Sequence, residues 1–280
     1  MKSIVKKVIR WLRSPAGIAS ASLLLVSILL IAAGLSNWSC VFHFPAESVN
    51  SILFGLATNL LGIIITISFV QHFLNLQRMK EEKSEEINRI LRNDRIMSAT
   101  IREYTLYYNR LTTPTEKNRS VSNCTLNLAF DFSDLRDLYT PTMLLLDGFR
   151  KTAIEAFCDS ESNLIKCCYS FVQDVDFKFY PELCDVLLQI IEISNKFNSR
   201  GALLGNQEIF ATQEAELLQH MFKNKSTNWV EEVHSGRVQG NIIIPYVFLY
   251  DLLKKEGPLV TQYCALIEII RSQAGEMHFS

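Results

Sequence analysis

Charge is nearly missing from the first quarter of the chain. Between Arg13 and Arg78 the only charged side chain is Glu47, so this stretch cannot present an ordinary solvated surface. Turn signals are missing further on. From Ile63 to Thr113 there is no glycine and no proline, and that predicts one uninterrupted helix. Among the seven cysteines (40, 124, 158, 167, 168, 184 and 264) there is no Cys-x-x-Cys pair. The five histidines do not cluster with them, so zinc-ligand spacing is excluded and free thiols in a reducing compartment are expected. Also missing are a Gly-x-Ser-x-Gly elbow, a P-loop, a His-Glu-x-x-His helix and a glycine-rich nucleotide loop. The segment "RGALLGNQ" has two glycines but no lysine to meet phosphate. An active site needs convergent titratable groups. The sequence offers none, and it reads as a non-enzyme with no cofactor and no metal.

The 280 residues carry 28 basic and 29 acidic side chains. The balance hides a gradient. Lys2, Lys6, Lys7, Arg10 and Arg13 form a purely basic start. Residues 78–119 hold ten basic and seven acidic side chains, and the region after Arg119 holds 13 basic and 21 acidic. Nucleic-acid binding begins with phosphate neutralisation, so a distal region this acidic is a poor general nucleic-acid binder, and no direct nucleic-acid binding is expected.

Mean hydropathy is positive, +0.12, and the excess lies near the N-terminus. Residues 16–35, "AGIASASLLLVSILLIAAGL", give about twenty uncharged residues, the length of one membrane crossing. Residues 51–71 give a second. The short loop between them holds Trp38, Phe42, Phe44 and Pro45, and aromatics suit the headgroup level. A cleaved signal peptide fits less well. The first apolar run exceeds the usual length of about 7–15 residues, and no small-x-small site follows it. Five basic residues precede the first span, none lies in the loop, and Arg78, Lys80 and Lys83 follow the second. The positive-inside rule then expects a multi-pass protein with both termini cytosolic.

The second apolar segment carries an amide near its middle. Gly55, Asn59, Gly62 and Thr66 are spaced i, i+4, i+7, i+11, which sets them on one helix face. In the first segment Ser20, Ser27 and Gly34 recur every seven residues. Small residues let membrane helices approach closely, and a side-chain amide can bond across the contact. Two uses stand side by side. Asn59 can bond its own partner helix within a self-packed hairpin, or the face can serve contacts between subunits or line a pore.

The expected organisation is a basic cytosolic N-terminus over 1–14, a transmembrane hairpin over 15–75, a helical stalk over 76–113 and a cytosolic helical domain over 114–280. The stalk carries an approximate 3-4 apolar spacing broken at Lys80, Lys83 and Asp94, which fits a solvated helix better than a coiled coil. Thr112–Asn123 is a polar linker with Pro114. Beyond it, helices are expected from Pro141 with Thr140 as N-cap, from Ser160, and from Pro181 with Gly201 past its end. Others are expected over "QEIFATQEAELLQHMF", "NIIIPYVFLYDLLKK" and "PLVTQYCALIEIIRS". Leu187, Ile190, Ile191 and Phe197 keep one apolar face, while "CTLNLAF" from Cys124 can form a short strand. The fold class is all-α. Asp174 and Asp176 do not make a complete ligand set, since no neighbouring Glu or His converges with them. Asp131, Asp134 and Asp137 read as complements to a helix N-terminus, and His72 as a headgroup-level side chain.

The layout of basic start, apolar hairpin from Ala16 to Gln71 and helical cytosolic domain resembles the two-span membrane effectors of bacterial anti-phage systems, of the retron or cyclic-oligonucleotide type. That resemblance implies an inner-membrane protein that oligomerises and permeabilises the bilayer when a cytosolic protein or ribonucleoprotein sensor releases it. The alternative is a membrane-tethered adaptor whose helical domain docks proteins.

Overall fold

The computed structural model describes residues 15–35, 46–114, 125–139, 141–144, 150–205, 214–224 and 227–278. The basic residues Lys2, Lys6, Lys7, Arg10 and Arg13, the loop over 36–45 and Cys124 lie outside the described residues. Helices dominate, and the fold is all-α. Two compact units divide between Glu82 and Lys83.

The first unit holds α1 (Pro15–Leu35) and the beginning of α2 (Ala46–Thr112). α2 is long and apolar enough to cross a membrane. In α1 the apolar run among the described residues, Ser20–Ala33, is shorter. The hydroxyl of Ser27 donates to the backbone carbonyl of Ala57 at 3.1 Å. Ser20 and Ile64 line one groove. Seven residues forward on α2 thus match seven residues back on α1, so the two helices run antiparallel.

The second unit begins on the same long helix. Ile87, Ile90, Met97, Ile101, Tyr104, Tyr108 and Leu111 are all buried. Their three- and four-residue steps define one helix stripe. The sequence suggests a solvated stalk here, but from Lys83 onward the stripe is core. Asp94, which interrupts the apolar spacing, is itself buried. It accepts from Tyr263 Oη at 2.9 Å and pairs with Arg271 at 2.5 Å, so the break in the pattern is an internal ion pair.

The helix expected from Pro141 is not there. Pro141–Leu144 forms β1 and Arg150–Thr152 forms β2, paired antiparallel. The helix, α3, starts later and covers Ala153–Asp174. Thr152 and Glu155 make its capping box: the Thr152 N–H donates to Glu155 Oε2 at 2.9 Å, and the Thr152 hydroxyl oxygen accepts from the Glu155 N–H. That reciprocal pair satisfies two donors at the helix start. Ser160 then falls inside α3, donating to Phe157 O, instead of opening a helix.

α4 (Pro181–Lys196) opens on its proline as expected. Leu187, Ile190, Ile191 and Phe197 are buried together. Three short helices follow: α5 (Arg200–Gly205), α6 (Glu214–Lys223) and α7 (Trp229–His234). The two helices expected at the C-terminal end are one, α8 (Ile244–His278), with Pro258 inside it. A proline cannot donate to the carbonyl four residues back. Two side chains bond backbone carbonyls nearby: Tyr108 Oη donates to Leu253 O at 3.1 Å, and Thr261 Oγ1 to Gly257 O. α4 packs on both α3 and α8. Thr125 to Leu128, within the stretch expected as a short strand, has no regular structure.

Candidate functional site

On α2 the buried positions near α1 are Ala57 and Ile64. At about 100° per residue, seven steps return to within about 20° of the same direction. Gly55, Asn59, Gly62 and Thr66 fall about 140–200° from Ala57 on that scale. All four are exposed. The small polar stripe therefore faces away from α1. Nothing among the described residues stands within 4 Å of a Cβ built on Gly55 or Gly62. Thr66 Oγ1 donates to Gly62 O at 2.9 Å, along its own helix. The Asn59 amide has no hydrogen bond to any described residue. The second small stripe behaves differently. Ser20 and Ser27 are buried at 2 % and 0 % exposure, so they form the seam with α2. Gly34 continues that heptad within α1. Arg78 pairs with Glu82 at 3.0 Å, Lys80 is exposed, and Lys83 lies 5.7 Å from the Tyr180 ring centroid.

The helical unit contains a half-open cleft of about 440 Å³. Ile193, Phe197 and Leu252 form its apolar floor, and Phe248 stands at its lip. Across it, His234 Nε2 meets Asp251 Oδ2 at 2.8 Å. Lys196 and Lys255 lie on the rim, and Lys196 pairs with Glu192 at 2.6 Å. Among the described residues no Ser, Thr or Cys lines the cleft. The apolar floor with His234, Asp251 and two lysines at its edge can hold a ligand that carries both apolar and polar groups. His234 and Asp251 sit on α7 and α8, and no local spacing in the sequence announces the pair.

A second cluster is sealed in the core. Glu256 is fully buried. It accepts from Tyr104 Oη at 3.0 Å through Oε2, while Oε1 meets no partner among the described residues. Burial pushes its carboxyl well above the usual range, and the nearby Glu161 adds to the shift. Glu161 is itself buried and accepts from Ser194 Oγ and Arg200 Nη2. Desolvation raises its carboxyl too, opposed by Ser194 and Arg200. Cys158 nearby is pushed up to about 12 by burial, which makes it an unreactive thiol. The described cysteines are all free. No group of three His, Cys, Asp or Glu that could hold a metal occurs among the described residues. Asp174 is engaged by Asn93 at 2.6 Å and Arg92 at 3.1 Å. Asp134 accepts from the Asp131 N–H in a capping box.

No family model matches the chain, and neither a curated protein nor a solved structure does.

Proposed function

We propose that this chain is a membrane-permeabilising effector. In this reading α1 and the first part of α2 form a two-span hairpin in a bacterial inner membrane, with both termini in the cytosol. Copies associate through the Gly55–Asn59–Gly62–Thr66 face, and the helical unit answers to a cytosolic protein or ribonucleoprotein sensor, as in abortive infection by anti-phage systems. One observation carries the reading. The polar face points away from α1, and the Asn59 amide has no partner among the described residues. An amide left unpaired in hydrocarbon is costly, and a bond across a helix contact recovers about 0.6–2 kcal/mol per copy. The test is inducible expression with a potential-sensitive dye. Asn59→Leu is expected to abolish depolarisation while the protein still reaches the membrane fraction. Depolarisation equal to wild type would remove the face from the mechanism.

A second reading is a tethered docking domain, favoured by the cleft between α4, α7 and α8. Here the hairpin only anchors the chain. Expression of the wild-type chain without any loss of membrane potential, together with partner capture lost on Lys255→Glu, would favour it.

A further inference from the structure

Two polar groups of the apolar unit lie on different faces and meet no hydrogen-bond partner among the described residues. One is Asn59, on the exposed ridge of α2. The other is Ser20, which is 2 % exposed and whose hydroxyl has no partner among the described residues. Its heptad neighbour Ser27 is satisfied by Ala57 O. Ser20 borders a half-open groove of about 510 Å³, walled by Ala21, Leu25 and Leu29 of α1 and floored by Ile64 of α2. A hydroxyl in an apolar setting without a hydrogen bond costs free energy.

We propose that a second copy of this chain fills the groove. The small-residue ridge of α2 in one copy docks into the α1 groove of the next. This rests on the self-association reading above and adds which surfaces meet. The depths agree. Ser27 is level with Ala57 and Ser20 with Ile64, so Asn59 is level with Leu25, Gly55 with Leu29, and Gly62 with the turn after Ser20. When copies stand side by side in a bilayer, equal depths face one another. The ridge then enters between the leucines where glycine allows close approach; it brings the α2 backbone beside Gly62 near the level of Ser20, and the Asn59 amide to the level of Leu25. A ridge-to-ridge dimer would leave Ser20 unsatisfied, and a lipid tail offers neither donor nor acceptor. Because the two surfaces differ, the contact is heterologous. It does not stop at two copies but propagates until a ring closes or a chain extends.

Cysteine cross-linking of the full chain in native membranes tests this, with oxidised wild type as the baseline for native cysteines. The pair is Gly55→Cys and Leu29→Cys, at equal depth on ridge and groove. The double variant is expected to give a ladder beyond dimers. Two single variants expressed together should give one dimer band, and each single variant alone should add nothing to wild type. Dimers from Gly55→Cys alone would mean that ridge meets ridge; the head-to-tail contact would fall while self-association stood. No product from any combination, with Ser27→Cys and Ala57→Cys still closing a bond within one chain, would leave the groove to lipid and overturn both.

Discussion

A Cβ on Gly257 would stand 2.6 Å from the hydroxyl oxygen of Tyr108 and 2.8 Å from Cδ2 of Leu128. Those distances explain why the middle of the longest C-terminal helix carries a glycine followed by Pro258. The missing side chain lets α2 lie against α8, and the Tyr108 hydroxyl donates to the Leu253 carbonyl, one turn before the glycine. Alanine favours a helix over glycine by about 1 kcal/mol, whereas overpacking a core costs about 1–3 kcal/mol. Gly257→Ala is therefore expected to lower stability by on the order of 1 kcal/mol. Adding Tyr108→Phe removes the nearest atom, so the two changes should not add. Denaturant midpoints of the four proteins in a cycle check this. A higher midpoint for Gly257→Ala alone would show that Leu128 and Tyr108 yield freely.

The buried Glu256 makes a pH prediction. Its folded carboxyl holds a proton well above the usual range, so between the unfolded value and the folded one the native chain binds more protons than the unfolded chain. Stability then falls as pH rises through that window. Glu256→Gln removes the titration. Its unfolding midpoint is expected to vary less between pH 5 and pH 8, with the gain over wild type largest at the upper end. Parallel slopes for the two proteins would refute the assignment.

Arg200 reaches Glu161 in the core while part of its own side chain is exposed. Removing one partner of a buried ion pair leaves a charge without compensation, at a cost of about 3–5 kcal/mol. Arg200 is 32 % exposed, which puts Arg200→Met at the lower end, about 3 kcal/mol. Replacing Glu161 with Leu in the same chain should recover most of the loss. A thermal melt series of the two single variants and the double variant measures the coupling.

What the sequence shows and what it hides differ in kind. The apolar period of Leu187, Ile190, Ile191 and Phe197 and the proline at the start of α4 are local, and both are legible. Pro141 is a local signal of the same strength, but the Thr152–Glu155 capping box lies downstream and takes the helix start. Gly257–Pro258 reads as a break between helices until Tyr108, far away in the chain, is seen to need the space. Asp94 breaks the stalk pattern for the same reason, because its partners Tyr263 and Arg271 come from the other end of the protein. In the apolar unit both small-residue stripes are legible as stripes. Which one is the seam depends on the Ser27–Ala57 contact, and spacing alone does not reveal it.

The distribution of basic residues predicts the sidedness of the chain. Lys2 to Arg13 and Arg78 to Lys83 flank two apolar segments joined by a loop that holds no lysine or arginine. A phosphatase fused after Ser280 should be inactive in intact cells, and a fluorescent protein fused there should glow. Phosphatase activity at that site would reverse the orientation.

Gly62 separates packing within a chain from packing between chains. A Cβ at Gly62 meets nothing within 4 Å among the described residues, so Gly62→Leu costs the monomer no steric strain, and leucine is favourable in lipid. Ala57 is the reverse case. It is 1 % exposed beside Ser27, and Ala57→Leu would push α1 and α2 apart. If the ridge serves contacts between copies, Gly62→Leu should abolish cross-linked ladders and dye influx while membrane insertion and expression hold. The loss of cross-linked ladders should exceed that of Asn59→Leu, because a bulky side chain separates the helices whereas the amide change removes one bond of on the order of 1 kcal/mol per contact. Ala57→Leu should instead lower the amount of stable protein. Wild-type influx from Gly62→Leu would mean that the ridge faces only lipid and that permeabilisation does not run through it.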